Sequence, residues 1–289
     1  MKEQKAMLLL LLTSFIWGMA FVAQSVSAES IGPFTFNAIR FGLGALVLVP
    51  FSVPQIKKRK GDESYRRKYL KGAFLCGLCL ALASYTQQIG VGLSGAAKGG
   101  FITSLYIILV PFLSVLLGSK VGLRTWVSGI GAVAGMYLLT LGGGKTGIAR
   151  GDLSLLLCAL FFAFHIIVID RTGKDLDGIS LSMGQFITAG TLCLIGMLTE
   201  RPQLSAILSA AVPVAYAGIF SCGIAYTLQV VGQKYVNPSK ATLLMSLESV
   251  WAAVGGAVLL SERLTGLETA GCVIVFACVL LAQLSPSSK

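Results

Sequence analysis

KGGFITSLYIILVPFLSVLLGSK, residues 98–120, and KATLLMSLESVWAAVGGAVLLSE, residues 240–262, lie on one another when the chain is shifted by 142 positions. The match runs without a gap from 98–139 onto 240–281, with nine identities in 42 positions. Apolar identities mean little in an apolar chain. The weight rests on Lys98/Lys240, Ser104/Ser246 and Ser119/Ser261. Nearby, Tyr85-Thr86-Gln87-Gln88 falls on Tyr226-Thr227-Leu228-Gln229, and residues 17–21 fall on 162–166. A unit of the chain occurs twice, and composition says what kind of unit it is.

The chain has 289 residues, of which 55% are AVILMFWYC and only 12% are charged. Its mean hydropathy is +0.82. Soluble domains carry about 25% charged residues. Here apolar residues form long unbroken runs, and a bilayer core about 30 Å thick needs about 20 of them per helix. The expected fold is an all-α polytopic membrane protein. Ten spans are expected, at about 6–24, 34–53, 72–91, 97–118, 124–141, 152–170, 178–199, 213–233, 239–260 and 265–284. The one long connection is 54–71, QIKKRKGDESYRRKYLK after Pro54.

The positive-inside rule orients the bundle. With the N-terminus inside, seventeen Lys and Arg fall in inner segments. Five fall in outer ones: Lys98, Lys145, Arg150, Arg201 and Arg263, while Arg40 lies within a span. Both termini are therefore expected in the cytoplasm, and the membrane is the cell's plasma membrane. Each repeat, 1–141 and 152–289 with a linker at 142–151, holds five helices. Five is odd, so the second copy enters from the opposite face. Such inverted-topology repeats are the architecture of secondary transporters. Lys98 then caps the outer end of helix 4 and Lys240 the inner end of helix 9.

Several local patterns give way to this reading. Gly142-Gly143-Gly144-Lys145-Thr146 imitates a Walker A loop, but Leu139 stands where its first Gly belongs. It reads as a flexible linker, as does the adjoining Arg150-Gly151-Asp152, and no ATP is expected. Residues 1–28 imitate a signal peptide, yet helix 1 has a partner in the second repeat and belongs to the fold. The basic residues cluster at helix ends and do not form an aromatic-interleaved face, so nucleic acid is excluded as a partner. All seven cysteines lie in apolar runs and read as small hydrophobes. Cys76-x-x-Cys79 has neither a second pair nor a nearby His, so neither a metal nor any other cofactor is expected.

Trp17-Gly18 in helix 1, Arg40-Phe41 with Ala45 in helix 2, Pro111 in helix 4, and Glu262 before Gly271 together resemble the EamA family of the drug/metabolite transporter superfamily. The resemblance covers nearly the whole chain. It implies ten-helix carriers, many of them exporters of amino acids or other small metabolites. One departure is that Ala253 stands opposite Pro111. The repeat therefore does not imply that helices 4 and 9 kink alike.

Polar groups at membrane depth are costly and often functional. Glu248 lies eight residues from Lys240, roughly 12 Å at 1.5 Å per residue, near the midplane. It is expected to bind a cationic group or a proton from a cavity; the alternative is a buried carboxylate paired with Arg40 or a hydroxyl. Its repeat-mate is Tyr106. Tyr85, Gln88, Tyr226 and Gln229 sit at matched levels and can bracket a small organic solute, or join helices by hydrogen bonds. His165 is the only histidine and Trp17 an aromatic of helix 1; both are cavity candidates set against a packing role. Arg40, Lys98, Lys240 and Pro111 read as structural. The basic loop reads as an orientation signal and a contact for anionic lipid.

The leading reading is a secondary transporter of small organic metabolites. A polytopic membrane enzyme fits less well, with one histidine, no H-E-x-x-H, no G-x-S-x-G and no complete Walker A. A purely structural membrane protein leaves Glu248 and the repeat without a role. The oligomeric state is not legible.

Overall fold

The computed structural model describes residues 2–141, 150–259 and 265–283. All regular structure among them is helical. In chain order the helices are α1 (Glu3–Ser27), α2 (Pro33–Lys58), α3 (Glu63–Ser94), α4 (Ala96–Thr103), α5 (Tyr106–Leu116), α6 (Leu123–Leu141) and α7 (Arg150–Thr172). Then come α8 (Gly178–Glu200), α9 (Leu204–Ser209), α10 (Ala211–Tyr216), a π-helical stretch (Ala217–Tyr226) and α11 (Thr227–Gln233). The last are α12 (Pro238–Met245), α13 (Glu248–Leu259) and α14 (Gly266–Gln283). Eight helical segments among the described residues are long and apolar enough to cross a membrane. In addition, α6 and α14 pack against each other. Leu8, Leu46, Phe51, Leu198 and Val258 turn apolar side chains outward, a surface that suits lipid better than water. All seven cysteines are free thiols. Residues 142–149, which hold the glycine-rich linker, and Glu262 lie outside the described residues.

Helix ends follow the local chemistry. Pro33 and Pro238 open α2 and α12, where a missing N–H costs nothing. Asp62, Asp177 and Asn237 are N-caps, each accepting from the backbone N–H three residues on. The expected long loop at 54–71 is mostly helix. α2 runs through Pro50 and Pro54 to Lys58, and α3 starts at Glu63 under the Asp62 cap, leaving residues 59–62 as the turn. Charged residues past the apolar run mark where lipid ends, not where the helix ends.

Two spans are broken at matched places. α4 stops at Thr103 and α5 begins at Tyr106; α12 stops at Met245 and α13 begins at Glu248. Tighter bonds span the joints, Ile107 N to Ser104 O (3.0 Å) and Ser249 N to Ser246 O (3.1 Å). Because Ala253 faces Pro111 in the alignment, the repeat did not imply matched kinks. The breaks instead coincide at Ser104-Leu105 and Ser246-Leu247, so Pro111, six residues past the first joint inside α5, does not set them. α1 packs closely on α13: a Cβ on Gly18 would stand 2.2 Å from Trp251 Cβ and 2.8 Å from Glu248 O. Only glycine permits that approach.

Candidate functional site

The two helix joints meet at the centre of the bundle. Tyr106 opens α5 and Glu248 opens α13. The Tyr106 hydroxyl donates to Glu248 Oε1 at 2.9 Å, and Ser104 Oγ donates to the same oxygen at 3.2 Å. Aligned positions of the two halves are thus bonded to each other. Glu248 is 3% exposed and Tyr106 2%.

A cavity of about 20 Å³ adjoins this pair, room for about one water. Trp17, Phe21 and Gln24 of α1 line it, with Arg40 of α2 and Gln87 of α3. Thr103, Tyr106, Phe162, Ile166, Ser221, Tyr226, Gln229 and Glu248 complete most of the wall. Tyr226 packs against Trp17 with ring centres 4.7 Å apart. It ends the π-helical stretch, and such stretches are frequent at functional sites.

Of the residues expected to line a cavity, Glu248, Tyr106, Tyr226, Gln229 and Trp17 do so. Tyr85, Gln88 and His165 stand outside it. Tyr85 stacks on Phe34, ring centres 4.2 Å apart. Gln88 donates to Gln24 O at 3.0 Å. His165 lies 2.8 Å from Gln185 Oε1 through Nε2, buried among Phe162 and Tyr226. The cavity takes Gln87 in place of Gln88. The shift of 142 pairs Gln87 with Gln229, and both line the wall; the Tyr-Thr-x-Gln match was one residue out of register. The cavity lining of Gln24, Thr103 and Ser221 was not read from the sequence either. Thr103 had a signal, since it adjoins the matched Ser104.

Arg40 was expected to be a structural tie in a peripheral helix. Instead it is 1% exposed and faces the cavity. Its Nε donates to Asn37 Oδ1 at 2.9 Å, and its guanidinium lies about 5 Å from the Phe36 and Phe41 ring centres. Of the alternative partners expected for Glu248, Arg40 is not among the ion pairs of the described residues, whereas the hydroxyls of Tyr106 and Ser104 do bond it.

Lys98 and Lys240 do more than cap helices. Lys98 Nζ lies 2.7 Å from Asp152 Oδ2 of α7, and Lys240 Nζ lies 2.9 Å from Glu3 Oε1 of α1. Each aligned lysine near the start of a broken helix grips an acid at the start of a helix in the other half. Asp152, the third residue of the Arg-Gly-Asp triplet, is 6% exposed and also accepts from Ser94 Oγ.

A second cavity, about 730 Å³, opens at the end of the bundle where α5, α7 and α11 finish. Lys120, Arg171, Lys174 and Lys234, against one acid, Asp170, give it a basic wall. Burial holds the Lys234 ammonium below the usual lysine range, and Asp177 partly offsets this. Ile166 and Gln229 line the small cavity, while Ile167 and Gln233 line the large one. The two cavities therefore lie on adjacent turns of α11 and on neighbouring residues of α7.

Comparison with known proteins agrees with this architecture. A crystal structure at 19% sequence identity superposes with a TM-score of 0.78, covering 97% of each chain. An uncharacterized transporter of Archaeoglobus fulgidus is 29% identical over 280 residues, 95% of this chain and 84% of that one. The inner membrane transporter YedA of Escherichia coli K12 is 26% identical, covering 92% of this chain and 87% of its own. The threonine/homoserine exporter RhtA of Salmonella typhimurium LT2 is also 26% identical, covering 94% and 88%. The sequence pattern of one family matches residues 4–141 and again 149–284, which together span nearly the whole chain. The chain is a multi-pass membrane protein with small-molecule transporters among its relatives, and it belongs to the EamA-like transporter family.

Proposed function

We propose that this protein is a secondary transporter that exports small organic solutes by alternating access, with the cavity beside Glu248 as the solute site. One observation carries the reading. Repeat-equivalent residues, Tyr106 and Glu248, meet at two matched helix breaks beside that cavity. Broken helices that turn their ends toward a central site are the recurring device of such carriers.

The fold behind the proposal is ten transmembrane helices in two inverted five-helix repeats, 1–141 and 152–289, with both termini in the cytoplasm. The two family matches, one in each half, support the duplication. In this frame Lys240–Glu3 lies toward the cytoplasm and Lys98–Asp152 toward the outside. Each pair joins the two halves, so each must part when its face opens. The 730 Å³ cavity is then a vestibule on the cytoplasmic side, where an exported solute enters. Export also accords with the name of one relative, a threonine/homoserine exporter. The central cavity holds about one water here, so the two halves must separate to admit a solute.

The test is a thermal-shift screen of purified protein against amino acids, amines, vitamins and nucleosides, followed by flux of each hit in proteoliposomes. At least one hit is expected to cross at a saturable rate that protein-free vesicles lack. Stabilisation without flux for every hit would refute the transporter reading.

A further inference from the structure

The larger cavity, about 730 Å³, falls within the size range of small-molecule pockets, and its wall is unevenly charged. Lys120 lines it from the turn between α5 and α6, Arg171 from the last turn of α7, Lys174 from just beyond that helix, and Lys234 from the end of α11. Against these four bases stands one acid, Asp170, among the described residues of the wall. Three helices, α5, α7 and α11, end here, and two, α6 and α12, begin here. A helix end carries about half a charge, negative at the C-terminus and positive at the N-terminus. The five ends together remove only about half a charge from the surplus left by the side chains, so the hollow stays positive by about two charges or more. A preference for positive charge at one face of a membrane explains the sign of such residues. It does not explain their gathering round a hollow.

The bonding of these groups points the same way. Elsewhere on the surface bases are matched, Arg66 at 2.9 Å from Glu63 and Lys68 at 3.2 Å from Asp175. On the cavity wall, Lys174 and Asp170 are 3.8 Å apart, and Lys234 donates to Leu176 O. The side chains of Lys120 and Arg171 make neither a hydrogen bond nor an ion pair among the described residues. Two buried polar groups of the same wall are also unmatched. Ser114 is 6% exposed, and its hydroxyl has no partner among the described residues. Gln233 is 1% exposed; its Nε2 donates to Ile166 O, while its Oε1 has no partner there. About 90% or more of buried polar groups in folded proteins are satisfied, so two orphans on one wall mark a place for the polar atoms of a ligand.

We propose that this cavity is a binding site for a phosphate monoester, its phosphate taken by the basic wall and its organic part by Gln233. A monoester phosphate carries about 1.5 to 2 negative charges at pH 7, which matches the surplus on the wall; a carboxylate carries less. A guanidinium grips phosphate through two parallel bonds, and a lysine meets it as a point charge. The Ser114 hydroxyl supplies a further donor, and a hydroxyl on the organic part gives Gln233 Oε1 the donor it lacks. A water-soluble ester and the headgroup of a membrane lipid offer the wall the same chemistry. Lys120 belongs to the first half of the chain and Arg171, Lys174 and Lys234 to the second, so an occupant contacts both halves at this end. Binding here does not depend on what the central cavity carries or in which direction.

The test uses the purified full chain in a neutral detergent, with affinity read from the concentration dependence of the melting temperature at fixed ionic strength. Glycerol 3-phosphate is compared with glycerol, and dihexanoyl phosphatidic acid with dihexanoyl phosphatidylcholine. At least one of the two monoesters is expected to bind about tenfold or more tighter than its control, and Arg171→Gln and Lys120→Gln should each weaken it about tenfold, the least expected when one charged hydrogen bond is lost. Lys57→Gln and Lys58→Gln, at exposed bases of α2 that do not line this cavity, should change it by about twofold at most, since distant surface charges are screened. Lys120, Arg171 and Lys174 are all exposed, so Lys174→Gln serves if either of the other variants fails to fold. Binding of glycerol 3-phosphate alone identifies a soluble ester as the occupant, and binding of phosphatidic acid alone a lipid headgroup; either supports the site. Two monoesters that bind no better than their controls overturn the proposal. So does binding that Lys57→Gln and Lys58→Gln weaken as much as Arg171→Gln, which would make it attraction to surface charge alone. Either of those results leaves the transporter reading standing.

Discussion

Glu248 is tied to the rest of the site through one carboxylate oxygen, which accepts from Tyr106 and Ser104. An amide at this position keeps an oxygen acceptor and the same size, and loses the charge. Glu248→Gln should therefore fold, with a melting temperature within a few degrees of the wild type, and cut flux about tenfold or more, since an ionisable residue buried within an apolar span is a functional-site hypothesis by default. Proteoliposome flux with melting temperature measured alongside checks this. Normal flux would make Glu248 a structural polar group; a collapsed melting temperature would make it a packing residue. That Glu248 lines the cavity was legible because one acid in an apolar run has few uses. Tyr85, Gln88 and His165 lie off the wall of the small cavity for a geometric reason. A helix turns about 100° per residue, so a register error of one residue moves a side chain off the cavity wall. Gln87, not Gln88, and Phe162 and Ile166, not His165, face inward. That Arg40 lines the cavity was not legible, because a sequence shows that a span carries a charge, not which neighbour it faces.

The helices themselves were readable from apolar length, and their ends less so. Where charged residues follow an apolar run, as at 54–71, the chain stayed helical beyond the lipid-sized stretch. The joints in the fourth and ninth expected spans carried no helix-breaking residue at the joint itself, only a repeated Ser-Leu pair. The contact of α1 with α13 holds the second joint in place, because Gly18 meets the backbone at Glu248. Gly18→Ala should push α1 off α13. Overpacking of this kind costs about 1–3 kcal/mol, and the affected surface carries both Trp17 and Glu248. Lower thermal stability together with weaker solute binding is expected, from melting curves with and without a transported solute. An unchanged curve would mean that the helices part at no cost. The same contact makes α1 integral to the site, so intact-mass analysis of the purified chain should find residues 1–28 retained.

At the scale of the molecule, the matched breaks, the matched lysines and the central cavity are what the proposed movement of two halves against each other rests on. The duplication was legible because Lys98 and Lys240 are rare polar marks in an apolar chain. Their partners were not, because Asp152 and Glu3 lie at the starts of helices far off in sequence and only folding brings them close. A ligand shifts such an equilibrium only by its differential interaction with the two openings, so the cavity wall must be exposed to each side in turn. The most direct test is a Gln87→Cys variant with the seven native cysteines replaced, held in sealed vesicles of known orientation. It is probed with a membrane-impermeant thiol reagent from each face. Asp62→Cys and Lys145→Cys serve as markers, expected to react only from the cytoplasmic and only from the outer face. The account predicts that position 87 reacts from both faces, and more slowly from both when a transported solute is present. Reaction from one face only, with the markers behaving as expected and solute flux intact, would contradict it.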